Sequence, residues 1–144
     1  MSAEVVKRAL DMFKQIQAEF PDLLMKSDPP DTSVELSVTI PKQPGLAFEI
    51  NLKLQNDDEL HLCAGAFWCS WFPSSKSAVV QKYHDAVVGL LVGQNRIVEY
   101  IRREKAVGAD LQAPHENGWK TIARSRCGLL PMSWFSEKHV LSNK

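Results

Sequence analysis

The stretch from Leu46 to Phe72, LAFEINLKLQNDDELHLCAGAFWCSWF, constrains the fold more than any other part of this chain. Phe48, Ile50, Leu52 and Leu54 alternate with Glu49, Asn51 and Lys53. Gln55-Asn56-Asp57-Asp58 is turn chemistry, and Leu60, Leu62, Ala64, Ala66 and Trp68 alternate again beyond it. A period of two with a polar break is the pattern of a β-hairpin with one wet face and one dry face. The dry face needs a cover, so the stretch asks for an antiparallel sheet with helices on one side.

Two segments have the period of such a cover. Over residues 3–20, Val5, Val6, Ala9, Leu10, Phe13, Ile16 and Phe20 recur at helical spacing. Ser2 precedes them as an N-cap and Pro21 follows as a stop. The polar face of this helix mixes charge signs, which suits packing on a sheet and not lying on a membrane. Over about residues 75–93, Ala78, Val79, Tyr83, Ala86, Val87, Leu90 and Leu91 form a second stripe, with Gly89 as a packing position and Gly93 as the stop.

The remaining strands follow from alternation and turn residues. Val34, Leu36, Val38 and Ile40 form a strand after the Pro29-Pro30-Asp31 loop, and Pro41–Gly45 turns it into the next. Short connections make these first strands antiparallel neighbours. Arg96–Arg103 reads as a strand from its β-branched and aromatic content; its alternative is a continuation of the second helix through Gly93. Val107–Gln112 and Trp119–Arg126 read as strands around a loop, Ala113–Gly118, that closes on Asn117-Gly118. Residues from about 136 read as a fraying tail. The expectation is one α+β domain over 1–144: an antiparallel sheet of five to six strands, the first three a meander, with two helices packed on one face.

This α-β-β-β-α-β-β order is similar to that of type III secretion chaperones, small homodimeric α+β proteins that bind effector segments. The likeness covers topology, and no motif carries it. Such chaperones are usually acidic, whereas this chain of 144 residues has a formal net charge of zero.

Composition narrows the classes further. Apolar residues make up 44% and charged residues 24%, which argues against disorder. No apolar run reaches the ~20 residues of a membrane helix, and the N-terminal residues lack the pattern of a signal peptide. Cys63, Cys69 and Cys127 make an odd count, which favours reduced thiols and a cytoplasmic location. Residues 1–95 carry a net charge of −4 and residues 96–144 a net charge of +4. Overall neutrality makes nucleic acid an unsuitable partner, because phosphate neutralisation needs a basic field.

Candidate chemistry is sparse. His61 and Cys63 share one face of a strand, as a nucleophile and its base would. Side chains two apart on a strand are ~7 Å apart, too far for a direct hydrogen bond. Cys63 then reads as a small buried hydrophobe and His61 as a polar-face residue. The cysteines lack the tight pairs of a zinc site, and His84, His115 and His139 stand alone, so neither metal nor cofactor is expected. His84-Asp85 point ~100° apart on a helix and read as solvated. Gly89 and Gly93 do not make a phosphate loop.

Two groups remain. Arg96, Arg102, Arg103 and Lys105, with Lys120, Arg124 and Arg126, form basic stretches that read as a solvated outer face of the sheet, with an acidic protein segment or nucleic acid as alternatives. Trp68, Trp71 and Phe72, with Trp134 and Phe135, are either core or interface anchors. The expectation is a non-enzymatic protein-binding module of chaperone, immunity or adaptor type. It would act as a homodimer or on a protein partner through Trp68, Trp71, Phe72, Arg102, Arg103, Arg124 and Arg126. The alternative is an enzyme or small-ligand binder with a cavity between sheet and helices, using His61, Cys63 and the arginines.

Overall fold

The alternating stretch builds the centre of a five-stranded antiparallel meander in a computed structural model, which describes residues 3–29, 34–126 and 137–143. Its strands are β1 (Lys26–Ser27), β2 (Leu36–Ile40), β3 (Ile50–Gln55), β4 (Glu59–Ala64) and β5 (Phe67–Trp71), in that spatial order. Leu52 faces Val38 on one side and Leu62 on the other, and Leu62 in turn faces Cys69. This register lines up Leu36, Val38, Ile40, Ile50, Leu52, Leu54, Leu60, Leu62 and Ala64 on the dry face.

Helices α1 (Ala3–Glu19) and α2 (Ser77–Leu91) cover that face. Helix α1 packs on β2 and β3, and α2 on β4 and β5. Ala9, Met12, Phe13 and Ile16 are the buried stripe of α1, while Tyr83, Ala86, Val87, Leu90 and Leu91 are buried in α2. The Ser2 cap and the Pro30-Asp31 part of the loop lie outside the described residues. Helix α2 ends as its glycine predicts: Gly93 has φ +76°, and its N–H bonds the Leu90 carbonyl at 3.2 Å. Gly89 is required for packing, because a Cβ there would overlap the Asn95 side chain.

The α+β class, the antiparallel pairing and the meander agree with the sequence pattern. The sheet itself divides in two. A second, four-stranded antiparallel sheet has the order β8-β7-β6-β9. Its strands are β6 (Arg96–Arg102), β7 (Lys105–His115), β8 (Gly118–Arg126) and β9 (Glu137–Leu141). Residues 96–102 are thus a strand and not a continued helix. Strand β9 pairs with β6 along its length, where the pattern suggested a frayed tail. Ile97, Ala109 and Leu111 are buried in the same core as the first sheet. Among the described residues, no helix is long and apolar enough to cross a membrane.

Two turns depart from the sequence expectation. The alternation from Leu60 to Trp68 is broken at Gly65-Ala66, which makes the hairpin between β4 and β5. Gly65 has φ +55°, the positive first-position φ that a two-residue hairpin turn favours. The β7–β8 turn centres on Glu116-Asn117, with Gly118 already paired to His115. Glu116 takes the positive φ of +52°.

The two sheets meet along β5 and β8. The Trp68 N–H donates to Ser125 Oγ at 3.4 Å, and that hydroxyl donates to the Ala66 carbonyl at 3.4 Å. Glu99 on β6 reaches the same hairpin turn: its Oε2 accepts the Ala66 N–H at 2.6 Å, and its Oε1 lies 3.0 Å from His139 Nδ1.

Candidate functional site

Strand geometry separates the aromatic cluster. Trp68 has the outward parity of β5 and Phe72 directly follows the strand; they are 55% and 62% exposed. Trp71 has the opposite parity and packs against the core, edge-on to Tyr83 with ring centroids 5.6 Å apart. The cluster is therefore both core and surface. Trp134 and Phe135 lie outside the described residues.

Trp68 is exposed but held. Its indole N–H donates to His61 Nδ1 at 2.7 Å, and His61 Nε2 lies 3.0 Å from Glu59 Oε1. An indole nitrogen only donates, so His61 Nδ1 is the acceptor and Nε2 carries the proton given to Glu59. Lys53 Nζ lies 5.9 Å from the centre of the Trp68 ring, within cation–π reach. His61 is on the wet face, as its parity predicts, yet it is buried. The Tyr83 hydroxyl donates to its carbonyl at 2.7 Å from the other side of the sheet.

Cys63 is not activated by this histidine. Both ring nitrogens of His61 are engaged elsewhere, and burial pushes the Cys63 thiol up, with Lys53 only partly opposing it. A reactive cysteine needs the opposite shift. Cys69 is likewise raised by burial, partly opposed by the Ser70 and Arg124 backbones. Both are free thiols; Cys127 lies outside the described residues.

The arginines do not gather at one point. Arg103 and Glu104 form the β6–β7 turn with φ +52° and +65°, so Arg103 is exposed at the hairpin tip and Arg102 is half-buried beside it. The Arg126 backbone pairs with Gly108 at the end of β8. Arg124 is anchored to Asp110: its Nε–H donates to Oδ1 at 2.8 Å and its Nη2 to Oδ2 at 3.2 Å. Oδ2 also accepts the Tyr100 hydroxyl at 2.9 Å and the Thr121 hydroxyl at 3.3 Å. Asp110 is buried and Arg124 half-exposed, and the carboxylate raises the guanidinium pKa further. Arg96 stacks on exposed Trp119, 4.0 Å from the ring centre, and its Nε–H donates to Gln112 at 2.9 Å.

His84 and Asp85, read from sequence as separate solvated positions, belong to one cluster. His84 Nε2 lies 2.7 Å from Glu19 Oε1 at the end of α1, and Nδ1 lies 3.2 Å from Asp85 Oδ1. Burial pulls the imidazole pKa down, but the hydrogen bonds and charges of Glu19 and Asp85 outweigh it, and the net shift is upward. A raised folded-state value gives stability that is complete below the ordinary histidine pKa of ~6.5 and is lost as pH rises through the raised value. The difference in denaturation midpoint between the protein and its His84→Gln variant should therefore shrink as pH rises above the ordinary histidine pKa of ~6.5. A difference that stayed constant would show that the cluster does not titrate in this way.

A cleft of about 670 Å³ lies between α2 and the β7–β8 hairpin. Trp71, Lys82, Ala86, Asn95, Lys120 and Ile122 are among its lining residues. The sequence pattern grouped Lys120 with Arg124 and Arg126 and did not single out Lys82: the two lysines are far apart along the chain and share no motif. A shallower depression of about 430 Å³ is lined by Asn51, Cys63 and Glu99 among others, without His61.

No family model, curated protein or solved structure matches this chain.

Proposed function

We propose that this protein is a non-enzymatic, cytoplasmic protein-binding module that engages a partner, or a second copy of itself, through the outward face of β5. One observation carries the reading: Trp68 on β5 and Phe72 directly after its last residue are both more than half exposed, four residues apart. Large aromatics in solvent are the residues that supply interface hot spots. Trp68 is also pre-ordered by His61 and Lys53, which reduces the side-chain entropy lost on docking. The groups of the alternative enzymatic reading are engaged with one another: His61 with Glu59 and Trp68, and Arg124 with Asp110. The odd number of cysteines supports the reducing compartment.

The test uses Trp68→Ala/Phe72→Ala. Partners retained by the immobilised protein from its native host should be lost with the double variant, whose near-ultraviolet circular dichroism should still report a packed core. Sedimentation over a wide concentration range reads self-association in parallel. Identical captured proteins and identical sedimentation for both forms would overturn the reading.

A further inference from the structure

We propose that the cleft between α2 and the β7–β8 hairpin binds a small organic anion. Its charged group would sit at Lys82 and Lys120, and a flat apolar body would lie against Trp71 and Ile122. Three features support this site, which lies apart from the Trp68–Phe72 face and does not depend on it.

The first is size and composition. A volume of about 670 Å³ falls within the ~300–1,000 Å³ of small-molecule sites. Trp71, Ala86, Ala113, Pro114 and Ile122 give the cleft an apolar side that matches its polar one in extent, and Ile122 is an exposed large hydrophobe there. The other side carries Lys82, Asp85, Gln94, Asn95, Lys120 and Thr121, so an apolar surface faces groups able to orient a polar ligand.

The second is that the walls are pre-formed. Trp71 is fixed edge-on against fully buried Tyr83, whose hydroxyl is tied to the His61 carbonyl. Asn95 is buried and wedged over Gly89, and its N–H bonds the Gly89 carbonyl at 2.8 Å. Binding would not need to order these residues, so little of the interaction is lost to entropy.

The third is an unbalanced charge. Among the described residues, Lys82 and Lys120 have no ion-pair partner. Asp85, the acidic residue lining the cleft, already accepts the Gln81 amide at 2.8 Å and lies 3.2 Å from His84 Nδ1. The cleft therefore presents two ammonium groups against one committed carboxylate. An occupant with a sulfonate, carboxylate or phosphate group fits that field, and a cationic one does not.

The test titrates the protein with 8-anilinonaphthalene-1-sulfonate, an anion on a flat aromatic body, and follows backbone amide resonances. Saturable one-to-one binding is expected, with the largest shifts at Gln94, Asn95, Thr121 and Ile122. Lys82→Gln and Lys120→Gln should each weaken it roughly tenfold. The uncharged dye N-phenyl-1-naphthylamine should bind more weakly and ignore both substitutions. Both lysines are exposed, so an unchanged amide spectrum outside the cleft serves as the folding control. The proposal is overturned if binding is not saturable or if both variants keep full affinity. It is also overturned if the neutral dye binds as tightly, or if the shifts centre on Trp68 and Phe72.

Discussion

Replacing Phe13 with alanine should cost ~3–5 kcal/mol, the range for emptying a buried aromatic site. The ring is 2% exposed and lies in the stripe by which α1 covers β2 and β3. Its removal takes apolar area from the core and leaves a cavity that Met12, Ile16 and the facing strands can only partly close. Denaturant melts with an unchanged slope and a lowered midpoint are the expected readout. A loss below ~1 kcal/mol would show that α1 is peripheral to the core.

Asp110→Ala should cost about 2–4 kcal/mol, although it removes no apolar area. The carboxylate takes four hydrogen bonds, from Tyr100, Thr121 and twice from Arg124. Tyr100 is itself buried, so its hydroxyl would lose its acceptor away from water. The half-exposed Arg124 would recover hydration, which keeps the loss below that of a fully buried ion pair. Tyr100→Phe should cost less in the Asp110→Ala background than alone, because its partner is already gone. Strict additivity in that double-mutant cycle would show that Asp110 and Tyr100 act independently.

Legibility of the fold followed local periodicity. The stripe of α1 and the alternation through β3 and β4 were readable because each is set by residues a few positions apart. The β4–β5 break was not. Gly65-Ala66 inserts a two-residue turn, after which the inward positions shift from Leu60, Leu62 and Ala64 to Phe67, Cys69 and Trp71. A period of two extended through that turn puts Trp68 inward, the wrong side. Strand β9 was hidden because Glu137, Lys138 and His139 have no apolar alternation, and pairing to β6 is what makes the segment a strand. At the sites, Trp68 and Phe72 were visible as residue types. The His61 tautomer, the Asp110 anchor and the Lys82–Lys120 cleft depend on contacts between distant segments, which no local pattern encodes.

The seam between β5 and β8 bears on how a partner can attach. An open sheet border invites another chain to add its own backbone as an extra strand. Here Ser125 of β8 takes the Trp68 N–H on β5 and donates to the Ala66 carbonyl in the turn before it, β1 is only two residues long, and β9 presents Glu137, Lys138 and His139. Templated strand growth, the route to runaway polymers, is thereby discouraged. A partner on the face proposed above would read side chains, Trp68 and Phe72 foremost, and its specificity would follow shape and charge instead of main-chain pairing.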